Sequence, residues 1–200
     1  MNPMNTRTTI ALLTIASFFG ACGTPARRIE TGGTSSITTV GDVDIQDIKG
    51  ATSEMLSSLL ELGVLGKAQN KPARLLVGRI VNDTSSQFSI EDLTYGIREQ
   101  LVNSGQAQVN TTYGSDAESK QAQDAMKRKQ FETGESVAIE NDFELTGKIT
   151  QLKRSAGDMK QTTFTFRLTL TATSGPQQGL EVWTKQSSFT KQGTKSSVGF

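Results

Sequence analysis

The chain contains no histidine and a single cysteine, Cys22, among its 200 residues. Without histidine there is no Ser-His-Asp or Cys-His catalysis and no His-rich zinc site. With one cysteine no internal disulfide can form, whatever the redox compartment. Charge is nearly balanced: 21 Lys and Arg against 20 Asp and Glu leave a net charge of +1. A polyanion-binding surface needs a basic excess gathered on one face, so nucleic acid is not an expected partner. Long apolar runs are also missing. The clearest one, Ile10 to Phe19, is about half of the ~20 residues a membrane-crossing helix requires. Of the common catalytic groups, only carboxylate pairs and Ser-Lys pairs remain to be weighed.

What is present near the N-terminus is a short export signal ending at the cysteine. Arg7 supplies a thinly charged n-region, the run from Ile10 to Phe19 an uncharged h-region, and Gly20-Ala21 the small residues that a signal peptidase needs. Phe19-Gly20-Ala21-Cys22 therefore reads as a lipoprotein signal. Residues 1–21 would be removed, and the Cys22 thiol would carry diacylglycerol at the new N-terminus. Lipidation would also remove the chain's one thiol as a nucleophile. Residues 22–40 then read as the lipidated cysteine and a flexible tether, rich in Gly, Ser and Thr (Thr31-Gly32-Gly33-Thr34-Ser35-Ser36). Residues 41–200 remain as one globular domain, long enough to bury about 70% of its unfolded surface.

Patterning within that domain predicts an α/β (α+β) fold: a mixed four- to five-stranded sheet flanked by helices. Ile48, Met55, Leu56, Leu59 and Leu60 fall mostly on one helical face, and Gly63 ends the pattern. Arg74 to Val81 is too continuous an apolar run to be half-exposed, and it reads as a central strand buried on both faces. Ser89 is placed to cap a helix with Glu91 and Asp92 at its positive end; Ile90, Leu93, Ile97 and Leu101 follow, and Gly105 closes it. A short strand is centred on Val109. A mostly polar third helix is expected from about Ser115 to Lys127, with slight burial at Ala117, Ala122, Ala125 and Met126. Phe143, Leu145 and Ile149 alternate along one strand. After a turn at Ser155-Ala156-Gly157-Asp158, Phe164, Phe166, Leu168, Leu170 and Ala172 alternate against Thr163, Thr165, Arg167, Thr169 and Thr171. A last strand begins at Leu180-Glu181-Val182-Trp183 and runs towards Phe189.

The order of these elements, with the short motifs at their ends, resembles the LpoB family. The motifs are Val81-Asn82-Asp83-Thr84, Asn103-Ser104-Gly105, Leu145-Thr146-Gly147 and Glu181-Val182-Trp183, spread over roughly Asp42 to Phe189. The family consists of outer-membrane lipoproteins that activate a bifunctional class A penicillin-binding protein. The resemblance implies a fold similar to the TolB N-terminal domain and a non-enzymatic regulator of peptidoglycan synthesis. It also implies a lipid anchor at Cys22 in the outer membrane facing the periplasm, a monomer, and a class A penicillin-binding protein as partner. Related lipoprotein folds occur in curli secretion channels, so an oligomeric structural or secretion-channel lipoprotein is the alternative. The best-known members carry a long, Pro-rich tether. Here about 18 residues extend to at most roughly 60 Å and average ~25 Å as a coil. The tail from Gly193 to Phe200 has no counterpart in the resemblance.

Four other patterns are weighed against plainer readings. Ser188-Phe189-Thr190-Lys191 matches S-x-x-K, but that chemistry needs one helical turn, whereas positions i and i+3 of a strand face apart. Glu140, Asp142 and Glu144 lack the spacing and central Gly of a calcium loop, and 142 and 144 are expected on a solvated strand face. The sequons at Asn82 and Asn110 read as turns. The Phe164–Ala172 alternation is long enough for a membrane β-strand, but a domain of this size needs those side chains for its core. No catalytic residue, metal or cofactor is expected.

Overall fold

The computed structural model describes residues 38–111, 120–134, 139–194 and 198–199, all within the compact unit Thr31–Phe200. Strand β1 (Thr38–Thr39) precedes helix α1 (Ile45–Glu61), whose buried residues Ile48, Ala51, Thr52, Met55, Leu56 and Leu59 follow the helical period. Gly63, at φ +64°, takes the left-handed position that ends the helix, and a 3₁₀ turn (Val64–Lys67) follows. Then come β2 (Ala73–Asp83), α2 (Ile90–Asn103), β3 (Ala107–Asn110), α3 (Lys120–Thr133), β4 (Phe143–Ala156), β5 (Met159–Ala172), β6 (Glu181–Thr194) and β7 (Val198–Gly199).

The main sheet has five strands in the order β3-β2-β4-β5-β6. β2 runs parallel to β3 and to β4, and β4, β5 and β6 form an antiparallel meander. This is the mixed sheet expected from a β-α-β start and a strand-rich end. β1 and β7 form a separate antiparallel pair, Thr38 opposite Gly199. α1 lies over β5 and β6, and α2 over β2 and β3. The core sits between these two helices and the sheet: Met55, Leu56 and Leu59 from α1, Ile97 and Leu101 from α2, and Leu75, Leu145, Leu168 and Leu170 from the strands.

Ser89 caps α2 as its position predicts, its hydroxyl accepting from the Asp92 N–H at 3.0 Å. The alternation of β5 holds throughout. Phe166, Leu168, Leu170 and Ala172 join the core, and Phe164 stacks on Phe189 of β6 with ring centroids 5.4 Å apart. The two-residue β4–β5 turn has positive φ at its first position, Gly157, as a glycine-first hairpin turn does.

Three expectations are corrected. β2 is interior to the sheet but packed on one face only. Ala73, Leu75, Val77 and Ile80 are buried, whereas Arg74 and Arg79 are exposed. The strand slips in register between Val77 and Ile80, so residues three apart share a face and the run looks continuous in sequence. Helix α3 covers Lys120–Thr133 and so runs past the expected end at Lys127; its burial is slight as expected, with Ala122 and Met126 half-buried, but Ala125 is exposed and Ala117 lies outside the described residues. β6 continues past Phe189 to Thr194, because β5 offers a partner all the way to Met159.

Candidate functional site: the root of the tether and the open sheet face

Cys22, the predicted lipidation site, lies outside the described residues. What the structure does place is the segment that leads from the tether into the domain. The Val43 N–H donates to Ser86 Oγ at 3.0 Å, and Gln151 Nε2 donates to the Gly41 carbonyl at 3.0 Å. Lys191, on β6, completes the attachment. Its ammonium donates to the Asp42 carbonyl at 3.1 Å and lies 2.8 Å from both Asp44 Oδ2 and Asp47 Oδ2. The ammonium thus donates to the Asp42 carbonyl and to the Asp44 carboxylate and is ion-paired with Asp47, with a side chain only 12% exposed. Burial would lower the Lys191 pKa, but hydrogen bonds and charge from Asp44 and Asp47 outweigh it and hold the group above the ordinary lysine range. Asp44 is the residue before α1, yet its side chain makes no cap bond to the helix.

This also disposes of the Ser188/Lys191 pattern. Both residues are in β6, as a strand reading requires, and they face apart. Ser188 Oγ pairs with Thr165 Oγ1 at 3.0 Å across the sheet, while Lys191 reaches the start of α1. The hydroxyl is thus engaged by a threonine and not by the Lys191 amine.

Over β5 and β6 the face turned away from α1 is polar. Thr163 meets Thr190 at 2.9 Å, Thr165 meets Ser188, Arg167 Nη2 donates to Gln186 Oε1 at 3.0 Å, and Thr169 meets Thr184 at 3.1 Å. Cross-strand hydroxyl and amide pairs of this kind stabilise a sheet by a few tenths of a kcal/mol each, up to about 1. These side chains satisfy one another, and the arrangement holds no nucleophile with a base.

Asp142 overturns its sequence reading. It precedes β4, is 1% exposed, and its carboxylate accepts from four donors. These are the N–H groups of Gln69 (3.2 Å), Asn70 (3.4 Å) and Arg74 (2.8 Å), and Asn70 Nδ2 (3.1 Å). The residue pins the loop before β2 to the start of β4. Glu144 stands on the open face, half-buried beside Gly78. Asn82 does form the predicted turn, accepting from Thr84 N at 3.2 Å and Oγ1 at 2.7 Å. Asn110 does not: it is buried at the end of β3 and bonds to Asn141. Among the described residues no three potential metal ligands gather, and no helix is long and apolar enough to cross a membrane.

Residues 47–189, from the first turn of α1 to Phe189 in β6, match the model of the peptidoglycan-synthase activator LpoB. Among solved structures, the LpoB C-terminal domain of Salmonella enterica is 16% identical, with a TM-score of 0.42 over 72% of this chain and 98% of that one. The Escherichia coli LpoB C-terminal domain is 17% identical, with a TM-score of 0.41 over the same shares of 72% and 98%. A lipoprotein of Neisseria meningitidis is 15% identical, with a TM-score of 0.32 over 62% of this chain and 88% of its own. No curated protein matches the chain. With a family match that spans both layers of the fold, the chain belongs to the LpoB family of peptidoglycan-synthase activators.

Proposed function

We propose that this activator is an outer-membrane lipoprotein, held through Cys22, whose monomeric periplasmic domain binds a bifunctional class A penicillin-binding protein directly. The observation that carries the reading is the extent of the family match. It takes in both helices of the core and all five strands of the main sheet, not one motif. The family's activators are non-enzymatic and typically outer-membrane lipoproteins, and the signal ending at Cys22 fits that location. Activation without chemistry is allostery. The domain must bind the active state of the synthase more tightly than the resting state, and a differential of about 1–3 kcal/mol shifts the equilibrium ~5–150-fold.

The test uses the purified chain lacking residues 1–40 and each class A synthase of the source organism. Lipid II polymerisation should speed up with the cognate enzyme, while the domain alone neither polymerises nor hydrolyses glycan. Absence of both binding and stimulation at tens of micromolar would sink the proposal. A large ring on sizing the detergent-solubilised chain would favour the secretion-channel alternative over the monomer.

A further inference from the structure

The stretch that leads into the domain is held at three places, and two of the holds come from the far end of the chain. Thr38 and Thr39, in the segment whose composition reads as tether, pair antiparallel with Gly199 and Val198. Next along the chain, Gln151 donates to the Gly41 carbonyl and the Val43 N–H donates to Ser86 Oγ. Lys191 then holds the Asp42 carbonyl and the carboxylates of Asp44 and Asp47. The family match covers residues 47–189, so Thr38 to Asp44 and Lys191 to Gly199 both lie outside it. The two flanks of the matched domain are therefore partners of each other.

The two terminal holds differ in strength, and the difference orders them. β1 and β7 are strands of two residues each, apart from the main sheet, and a lone two-stranded ribbon is marginal in water. Short links still let it close at little entropic cost. Val198 stands four residues past the end of β6 at Thr194, and Thr39 two residues before the Gly41 carbonyl that Gln151 holds. Lys191, by contrast, is largely buried on a strand that β5 pairs along its whole length. Opening therefore runs inward from the tether. β1 leaves β7 first, Lys191 then lets go of the residues up to Asp44, and the sheet stays intact. Thr38 to Asp44 is seven residues, roughly 23 Å of extended chain.

We propose that β7 is a strap that sets the working length of the tether. With the strap closed, the anchored domain hangs from residues 22–37. With it open, the chain pays out as far as residue 44. The domain's effective concentration at its synthase depends on whether the linker spans the gap, so the strap controls how often the two meet. The proposal rests on the anchor at Cys22 and on the activator reading, and adds to them a control of reach.

Two experiments test it. Amide exchange in the mature lipidated chain in detergent reads the strap alone. A chain ending at Thr194 should exchange tenfold or more faster over residues 38–40, and unchanged exchange in α2 would show that its domain is folded. Adding Lys191→Met should carry the effect on to Asp44. Exchange over residues 38–40 that ignores loss of the tail would mean that there is no strap. The second experiment measures peptidoglycan incorporation in cells whose only copy is the variant, at native abundance. Deleting Thr31 to Ser36 shortens the tether by six residues and should lower the activator's effect at least threefold. The same deletion in the chain that ends at Thr194 and carries Lys191→Met should return to within twofold of the parent, because seven residues are released. If the deletion has no effect, or if release does not restore it, the strap does not set reach and the proposal is overturned. If the parent itself stimulates no synthase in solution, the activator reading falls and takes the control of reach with it.

Discussion

Lys191 and Asp44 are 147 residues apart in sequence and 2.8 Å apart in the fold. Their contact ties the last long strand of the sheet to the residue that precedes the first helix. With the chain anchored as proposed, a pull from the membrane would reach this junction before it reached the core. Replacing Lys191 by Met keeps the stem and removes the ammonium. Asp44 and Asp47 are about one-third exposed, so both carboxylates can rehydrate in part, although Asp47 Oδ2 itself is buried. The expected cost is therefore about 1–2 kcal/mol, below that of a fully buried pair. Hydrogen exchange should quicken in the first turn of α1 and leave α2 unchanged.

The same pair carries a pH signature. The folded-state pKa of Lys191 is raised, so its contribution to stability is complete below the unfolded value and is lost as pH rises through the folded one. Stability should be flat around neutrality on this account and should fall in the alkaline range above the ordinary lysine pKa. Denaturation curves of the parent and Lys191→Met should converge there; a gap that stays constant with pH would refute the linkage.

Two glycines on neighbouring strands should respond differently to alanine. At Gly147 an added Cβ would lie 2.9 Å from Leu168 Cδ2, 3.2 Å from the Arg167 carbonyl oxygen and 3.3 Å from Phe166 Cε2. Core atoms and a strand backbone cannot all retreat, so Gly147→Ala should cost about 1–3 kcal/mol. At Gly78 the colliding atoms belong to the Glu144 side chain, whose end is free to swing away. Gly78→Ala should fall within ~0.5 kcal/mol of the parent. Urea midpoints decide this, and equal losses would mean that β4 and β5 do not pair as described.

Asp142→Ala should be among the most damaging single changes outside the core. It strands the backbone donors of Gln69, Asn70 and Arg74, for a loss of roughly 3–5 kcal/mol. Asp142→Asn keeps the shape and one acceptor oxygen, and should lose visibly less in the same denaturation assay.

These residues also show where the sequence is legible. The Ser89 cap and the β5 alternation could be read because each is decided within a few neighbouring residues. The partners of Asp142 lie 68 to 73 positions away, so its three-residue acidic setting pointed to solvent when the fold had buried it. Lys191 drew notice only as half of a catalytic motif, because nothing near it in the chain announces Asp44. The slip between Val77 and Ile80 misled for a related reason. A bulge puts apolar residues at the spacing of neither a strand nor a helix, and the run then imitates a strand covered on both faces.

The anchor is the remaining prediction, and it separates proximity from activity. Cys22→Ser should abolish lipid attachment and leave either an unprocessed precursor or a soluble periplasmic protein. Acyl chains contribute ~0.8 kcal/mol per buried CH₂, so several together hold a protein on a membrane for long times. Gly23 rather than Asp follows the cysteine, which in enterobacterial-type systems favours the outer-membrane sorting proposed above. On the proposed reading, the tether's part is to set how often the domain meets its synthase. Unanchored protein should therefore stimulate normally in solution, where concentration replaces proximity, and poorly in the cell, where it does not. Overexpressing Cys22→Ser with a cleavable export signal should restore function as its level rises. Fatty-acid labelling that persists in Cys22→Ser would place the anchor elsewhere. Full activity of the unanchored protein at native abundance would mean that the tether contributes nothing to the encounter.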